Sequence, residues 1–446
     1  MSGSWPKIVR DPVHDIIPFH ETPCDKLLLS LIETAEFQRL RRIKQLGMSE
    51  LVFPGANHSR FAHSLGVMSL ARRFLSSLER ECGTLPEDQQ IAVLTASLLH
   101  DIGHGPFSHT FEKVTGESHE ARTVEIISSP ETEVHKRLAS FDRNLPETLA
   151  SFFDEDFEGS DRESPIPPHL TQIVSSQLDA DRFDYLLRDS YATGTQYGRF
   201  DANWLLQHLH LDPSRKRFYL SHKGTNAAEA YVFARYHMYR TVYFHKTTRS
   251  AEVMLRLLFK RYKELLSEAK SKVDVVPNAP PAVLAAFSLA MSLGQYLLLD
   301  DHAITEFLKG CKASTDPVLS QLGIGILDRR LYKVIDVSGA ASVDVGRFVA
   351  NVTDALRDEK PDHSYFFVDD TPGDTAYKPY DPDSDKPATQ IYVQTTLGEI
   401  RELSKESRTV QQLGDPYVLL RYYFPDSLRA KIEGIAHTTL KKGRNP

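Results

Sequence analysis

The stretch that most constrains this chain is an apolar run, Ile91–Leu99, followed by His100–Asp101–Ile102–Gly103–His104–Gly105–Pro106–Phe107–Ser108–His109. The run is apolar almost all round, the pattern of a helix buried on every side. A buried helix that ends in a carboxylate beside an imidazole needs compensation, because an unpaired buried carboxylate costs several kcal/mol. Two His and an Asp within one turn point to a divalent cation as that compensation. Imidazole nitrogen and carboxylate oxygen together suit Mn, Fe, Mg, Zn, Ni or Co. Gly103 and Gly105 let the backbone approach a ligand closely, and Pro106 stops the helix. The bland alternative is a helix end carrying surface histidines, which conflicts with a helix apolar on all faces.

The chain has 446 residues, room for one large domain with an appended lobe or for two to three domains. A catalytic core over 1–270 and a C-terminal α+β lobe over 271–446, used for oligomerisation or regulation, are expected. The net charge of −7 argues against a general DNA-coating role but leaves a locally positive pocket open. Cys24, Cys82 and Cys311 are far apart and form no C-x-x-C pair. A disulfide framework or cysteine zinc site is therefore not expected, and a reducing cytoplasm fits. No apolar run reaches membrane-spanning length and no basic-then-apolar leader opens the chain, so neither membrane insertion nor secretion is expected.

Leu27–Leu46 has apolar residues at helical spacing and carries Arg39, Arg41, Arg42 and Lys44, either a solvated face or an anion site. Ser59 is placed to cap a helix with Arg60 and His63 in its first turn. Asp154–Pro168 reads as a loop. From Ile173 to Asp189 the chain reads as helix, with Asp181, Tyr185 and Asp189 on one face; its acids and Arg182 and Arg188 would also suit a salt-bridged surface helix. Gln207–Leu211 and Arg217–Ser221 read as a hairpin. Asn226–Ala269 reads as a long helical region, and its Arg235, His237, Tyr239, Arg240, Tyr243, His245 and Lys246 could stack a base and hold phosphates or simply form a core stripe. Ala282–Lys309 is again helical. Leu331–Val337, Tyr365–Val368, Ile391–Gln394 and Val418–Phe424 read as strands, with helices near Val343–Leu356 and Asp426–Ala436 and a Pro/Gly/Asp-dense loop over Asp369–Pro387.

His63, His100–Asp101 and Asp181 form an H…HD…D pattern that resembles the HD-domain metal-dependent phosphohydrolase superfamily. Within it, Gln45–Leu46–Gly47, Val52–Phe53–Pro54–Gly55–Ala56, Arg60–Phe61–Ala62–His63–Ser64–Leu65–Gly66–Val67, the His100–His109 stretch and Asp179–Ala180–Asp181–Arg182–Phe183–Asp184–Tyr185 are similar to the deoxynucleoside triphosphate triphosphohydrolases. These include the catalytic domain of the vertebrate SAM-and-HD-domain enzymes and their prokaryotic relatives. The resemblance covers roughly residues 7 to 260 in ordered motifs, and because it begins almost at the first residue no SAM domain is expected ahead of it.

The resemblance implies a mostly α fold: an HD-domain helical core with a small β-hairpin, followed by a mixed α+β C-terminal lobe. It implies a divalent metal held by His63, His100, Asp101 and Asp181, and water attack at the α-phosphate of a deoxynucleoside triphosphate, releasing deoxynucleoside and triphosphate. By the same carry-over, His104 assists at the α-phosphate and His119 is the general acid, oriented by Glu112, where the family usually has Asp. Arg60, Arg182 and Arg235 contact phosphate, Arg182 replacing a frequent Lys, and His109 lies near the phosphates. Tyr185 packs on the sugar and excludes a 2′-hydroxyl, Gln45 and Asp189 read the 3′-hydroxyl, and Leu46 and Tyr243 pack near base and sugar. Phe244 stands where the vertebrate enzymes have Gln. Lys7, Glu33 and Arg41 match a regulatory nucleotide site, with Glu33 for Asp, in a family that forms dimers or tetramers. The alternatives are an HD-fold phosphodiesterase or exonuclease acting on single-stranded nucleic acid or a cyclic nucleotide, and a nucleotide sensor with little turnover. The remaining histidines, including His14, His20, His58, His135 and His169, read as structural or surface residues.

Overall fold

The Arg60–Cys82 helix is the strut on which the N-terminal half is built. Ser59 starts it as its spacing predicts, its side chain accepting a hydrogen bond from the Ala62 N–H. The Glu87–Leu99 helix packs along it and is buried at every position from Ile91 on, so its all-round apolar pattern is met by protein on every side. The Ala180–Thr193 helix packs on the same strut. It comes so close that a Cβ on Gly66 would lie 1.9 Å from Asp184 Oδ1, so no residue but glycine fits there. This computed structural model describes residues 7–107, 109–153, 166–212, 214, 217–268, 275–287, 291–357, 363–371, 390–413 and 419–440, with backbone alone for His109, Glu268 and His363. Most of the two loops expected over Asp154–Pro168 and Asp369–Pro387, and Val418 at the start of an expected strand, lie outside the described residues.

Among these residues the architecture is mostly helical, with small sheets and a mixed α+β C-terminal region. The strands are β1 (Lys7–Asp11), β2 (Asp15–Phe19), β3 (Leu209–Asp212), β4 (Arg217–Leu220), β5 (Lys333–Asp336), β6 (Val368–Asp370), β7 (Tyr392–Gln394), β8 (Ile400–Glu402) and β9 (Arg421–Phe424). β1 and β2 form a hairpin. β3 and β4 form the expected hairpin, which β7 and β8 extend in the order β3-β4-β7-β8. β5, β9 and β6 make a separate antiparallel sheet in that order.

Several expected helices are broken where a polar side chain offers the backbone an alternative. Leu27–Leu46 is not one helix: Pro23–Ile32 ends, Thr34 caps a new helix over Ala35–Arg39, and Lys44 pairs as an isolated bridge with Ser59. The helix expected from Ile173 begins at Ala180, because the Asp179 carboxylate accepts from the N–H groups of Arg182 and Ser176 and fixes the start there. The Asn226–Ala269 region divides into Thr225–Met238, a wide π-helical turn over Tyr239–Tyr243 closed by Phe244 N–H to Tyr239 C=O at 2.8 Å, and Lys246–Glu268. In Ala282–Lys309, Asp300 caps a separate Asp301–Lys312 helix. Tyr365 lies in a short 3-10 turn, so the strand begins at Val368, and β8 was not anticipated.

Two hydrophobic cores result. The first packs the N-terminal helices, residues up to Val242, and returns late in the chain to take in Ile391, Val393, Leu403 and Val410. The second gathers Met48, Phe107 and Phe111 with the Lys246–Glu268 helix, the helices over 301–327 and the β5-β9-β6 sheet. Asp301 ties the seam, accepting from the N–H groups of Lys44 at 2.9 Å and Phe107 at 3.0 Å.

Candidate active site

The strut and the two helices packed on it bring His63, His100, Asp101 and Asp181 together. His63 Nε2 lies 3.2 Å from His100 Nε2, 3.0 Å from an Asp181 oxygen and 3.7 Å from an Asp101 oxygen. His100 Nε2 is 3.4 Å from Asp101 and 3.7 Å from Asp181. The far nitrogen of each ring is already committed as a donor. His63 Nδ1–H donates to Asp184 Oδ2 at 2.8 Å, and His100 Nδ1–H donates to the Ser97 carbonyl at 2.8 Å. In the neutral rings both Nε2 atoms then present lone pairs to one point flanked by carboxylates, an arrangement that asks for a cation. His63, His100 and Asp101 offer ligand atoms all within 4.8 Å of one another, and the donor set fits a divalent ion. Burial disfavours a charge on His63, but its hydrogen bonds to Asp181 and Asp184 prevail and lift its pKa to about 10.

Sequence reasoning missed the support behind this centre. Asp184, fully buried, accepts from His63, from His14 Nε2–H at 2.5 Å, and from Arg188 at 2.7 and 2.9 Å. Arg188 in turn donates to Asp11 at 2.8 and 3.2 Å. Burial works against ionising Asp184, yet Arg188, His14 and His63 hold its carboxyl well below the usual range. Asp184 and Arg188 stand four apart on one helix and read as a surface pair. Gly66, where any side chain would strike them, is the available signal that they are not. His14 and His58, read from the sequence only as structural or surface residues, are both held against buried carboxylates. His58 Nε2–H donates to Asp189 at 2.7 Å.

Beside the centre stand His104, Glu112 and His119. The two imidazoles stack with centroids 3.8 Å apart, and His119 Nδ1 lies 2.7 Å from Glu112 Oε1, an ion-pair contact. Burial and the nearby Arg60 guanidinium push the His104 pKa well below its ordinary value, despite a contact to Asp101 at 3.2 Å. His119 goes the other way: burial opposes its charge, but Glu112 and Glu120 raise its pKa. One ring is thus neutral and its stacked neighbour favours the protonated form. Arg60 donates to Asp101, and burial notwithstanding, that charge helps hold Asp101 ionised.

A cavity of about 350 Å³ opens beside this centre, lined by Gln45, Leu46, Arg60, Glu112, Tyr185, Asp189, Tyr243 and Phe244 among others. Arg60 and Glu112 are its links to the metal-ligand set and to the histidine pair. Asp189 accepts from Tyr243 Oη–H at 2.8 Å as well as from His58. Gln45 Oε1 is a buried acceptor without a partner among the described residues. Arg182 and Arg235 do not line the cavity; both donate to Gln177 Oε1. The His109 side chain lies outside what the structure describes. Of the expected regulatory set, Lys7 and Glu33 form an exposed ion pair at 3.5 Å, while Arg41 donates to Gln38 and stacks on Phe61.

Two family models match this chain: the HD domain over residues 60–188 and the HD associated region over 200–276. The uncharacterized protein YwfO of Bacillus subtilis is 35% identical over 423 residues, covering 95% of this chain and 93% of that protein. The zebrafish (Danio rerio) deoxynucleoside triphosphate triphosphohydrolase SAMHD1 is 29% identical over 378 residues, 76% of this chain and 57% of that enzyme. A crystal structure described as a phosphohydrolase from Bacteroides thetaiotaomicron superposes with a TM-score of 0.77 at 28% identity, covering 94% of this chain and 99% of that one. Among the described residues no helix is long and apolar enough to cross a membrane.

Proposed function

We propose a reaction for this chain, which belongs to the HD-domain phosphohydrolase family: hydrolysis of a deoxynucleoside triphosphate to deoxynucleoside and inorganic triphosphate. The observation that carries the reading is the cavity in which Gln45, Tyr185, Asp189 and Tyr243 share a lining with Arg60 and Glu112, the partners of Asp101 and His119 in the His/Asp centre. A phosphate ester placed at the centre would lay its sugar against hydroxyl-reading groups, and the unpartnered Gln45 Oε1 is suited to accept from a ribose-type 3′-hydroxyl. The similarity to enzymes named as deoxynucleoside triphosphate triphosphohydrolases supports the same substrate class.

His63, His100, Asp101 and Asp181 would hold the divalent ion, which supplies a polarised phosphoryl oxygen and a water of lowered pKa. Arg60, ionised beside Asp101, orients an α-phosphate oxygen and balances its charge. Neutral His104 donates no charge of its own and packs His119 into place. His119, kept protonated by Glu112, delivers a proton to the departing sugar oxygen. Tyr185 and Tyr243, edge to face at 6.1 Å, enclose the sugar and exclude water from its back face.

Product analysis tests this. Purified protein is given each dNTP with Mn, Mg, Co or Fe, then all four dNTPs with GTP. Chromatographic release of triphosphate and deoxynucleoside is the expected result. Monophosphate plus pyrophosphate, or turnover only of single-stranded or cyclic nucleotides, would refute it.

A further inference from the structure

The cavity has a second charged end that this reaction does not use. Its lining runs from Arg60 and Glu112, which touch the histidine and aspartate groups, to Glu252 and to Arg249 and Arg256, the last two of which touch the C-terminal sheet. Arg249 and Arg256 would be a strong polyphosphate site if left to themselves, because two guanidiniums in a partly dry cleft bind phosphate in bidentate fashion. They are not left to themselves. Arg249 donates to both oxygens of Asp370, at 2.9 and 2.8 Å, and to Glu252 at 2.5 Å. Arg256 lies 3.6 Å from the same Asp370 carboxylate. Asp370 is 3% exposed and sits on β6 at a fixed rung of the sheet, opposite Arg421 of β9, which is itself opposite Asp336 of β5. Arg421 donates to Asp336 at 2.9 Å and to the carbonyl of cavity-lining Phe244 at 2.6 Å. One rung of the C-terminal sheet thus grips the cavity wall at two points and delivers a carboxylate to its cations.

We propose that Asp370 is a specificity-determining residue that sets the direction in which a polyphosphate substrate enters. By cancelling Arg249 and Arg256 it leaves the end at Arg60 and the metal-ligand set, where a bound divalent ion would add positive charge, as the attractive end for phosphate. A nucleotide then docks with its phosphates toward the chemistry and its base toward the sheet. This rests on the reading that the substrate carries a polyphosphate. It assigns a positioning role to a lobe in which the sequence reveals no chemistry.

The test is calorimetric titration of the metal-free full chain with pyrophosphate at low salt, comparing wild type, Asp370→Asn and Asp370→Glu. Asp370→Asn is expected to bind pyrophosphate about tenfold more tightly, the order of effect of one uncancelled charge at this range, with the gain shrinking as salt rises. Asp370→Glu restores the wild-type value, and adding Arg249→Met to Asp370→Asn removes the gain. In steady state, inverted and unproductive docking lowers kcat and KM together and leaves kcat/KM near wild type, whereas a merely structural role for Asp370 would lower kcat/KM. Unchanged pyrophosphate affinity in folded Asp370→Asn, or a gain that survives Arg249→Met, overturns the proposal. If Asp370→Asn does not fold, Glu252→Gln, which removes the other carboxylate from Arg249 while Asp370 still holds it, is expected to shift affinity in the same direction by a smaller factor, and no shift there overturns it equally. Absence of dNTP turnover in every protein would sink the reaction proposed above while leaving the pyrophosphate result to decide this one.

Discussion

Replacing Asp184 with Asn tests the logic of the metal-ligand set at a residue that would not itself touch the ion. The fully buried carboxylate accepts from His63, His14 and Arg188. Asparagine keeps one acceptor oxygen and turns an NH₂ group toward donors that need acceptors. Removing one partner of a buried ion pair costs about 3–5 kcal/mol. Because Asp11 still pairs with Arg188 at 2.8 Å, the lower end, about 3 kcal/mol, is expected here. His63 loses the acceptor that fixes its tautomer and ring angle, and loss of such a support lowers metal affinity by roughly 10- to 100-fold. Urea unfolding of the metal-free protein measures the first effect and calorimetric titration with Mn²⁺ the second. A folded Asp184→Asn protein that binds Mn²⁺ within twofold of wild type would refute the claim that Asp184 sets the His63 lone pair.

Gly66→Ala places a methyl 1.9 Å from Asp184 Oδ1 and is expected to cost about 1–3 kcal/mol in thermal or urea unfolding; a neutral outcome would contradict the close helix approach. His119→Ala is expected to lower turnover by roughly 10²–10⁴-fold. Because the His119 pKa is raised, its acid form persists above the ordinary histidine range and the wild-type rate falls as pH rises through that raised value. Glu112→Gln should move this alkaline limb to lower pH, and an unmoved limb in the pH–rate profile would contradict the pairing. Burial lifts the Asp301 pKa to about 6, against the opposing pull of the Lys44 and Phe107 N–H groups. The folded state then binds that proton more tightly than the unfolded state, so this group's contribution to stability falls by about 3 kcal/mol between roughly pH 4 and 6. Urea midpoints of Asp301→Asn relative to wild type should shift in the variant's favour across that window, and a flat difference would refute the burial argument.

What the sequence made legible was chemistry carried by local spacing. His63 follows a capping Ser59, His100–Asp101 ends an apolar helix, and Asp181 opens another, but it was the resemblance of the H…HD…D pattern to a known family, not spacing, that joined them in one set. The hairpin over residues 209–220 was legible from local pattern. The supports were not legible, because they are long-range: Arg188 finds Asp11 at a separation of 177 residues, and a local reading of Asp184 and Arg188 sees an ordinary i,i+4 pair. Likewise Arg182 and Arg235 were expected on phosphates but meet on Gln177, which no spacing rule would single out. Helix breaks escaped where a single Thr34, Asp179 or Asp300 outbid the hydrophobic period. In the C-terminal lobe the informative contacts are cross-strand and cross-core, and single-strand patterns do not report them.

The wide turn over Tyr239–Tyr243 is also a matter of phase. An α-helix advances about 100° per residue, so one residue more or less rotates everything beyond it by that angle. Upstream of the turn, Tyr231, Val232 and Met238 are seated in the first core; downstream, Ala251, Met254, Leu255 and Leu258 are seated in the second. The wider turn, with the break at Phe244 and His245 that follows it, therefore sets the angle between a helix seated in one core and a helix seated in the other. Deleting one residue there, Thr241 for example, would leave the amino-acid content of both cores intact yet change the phase at which the chain leaves the turn, and Tyr243 and Phe244 would be swung away from the cavity wall. In this chain, insertions and deletions at one turn are a harsher change than most substitutions in either core.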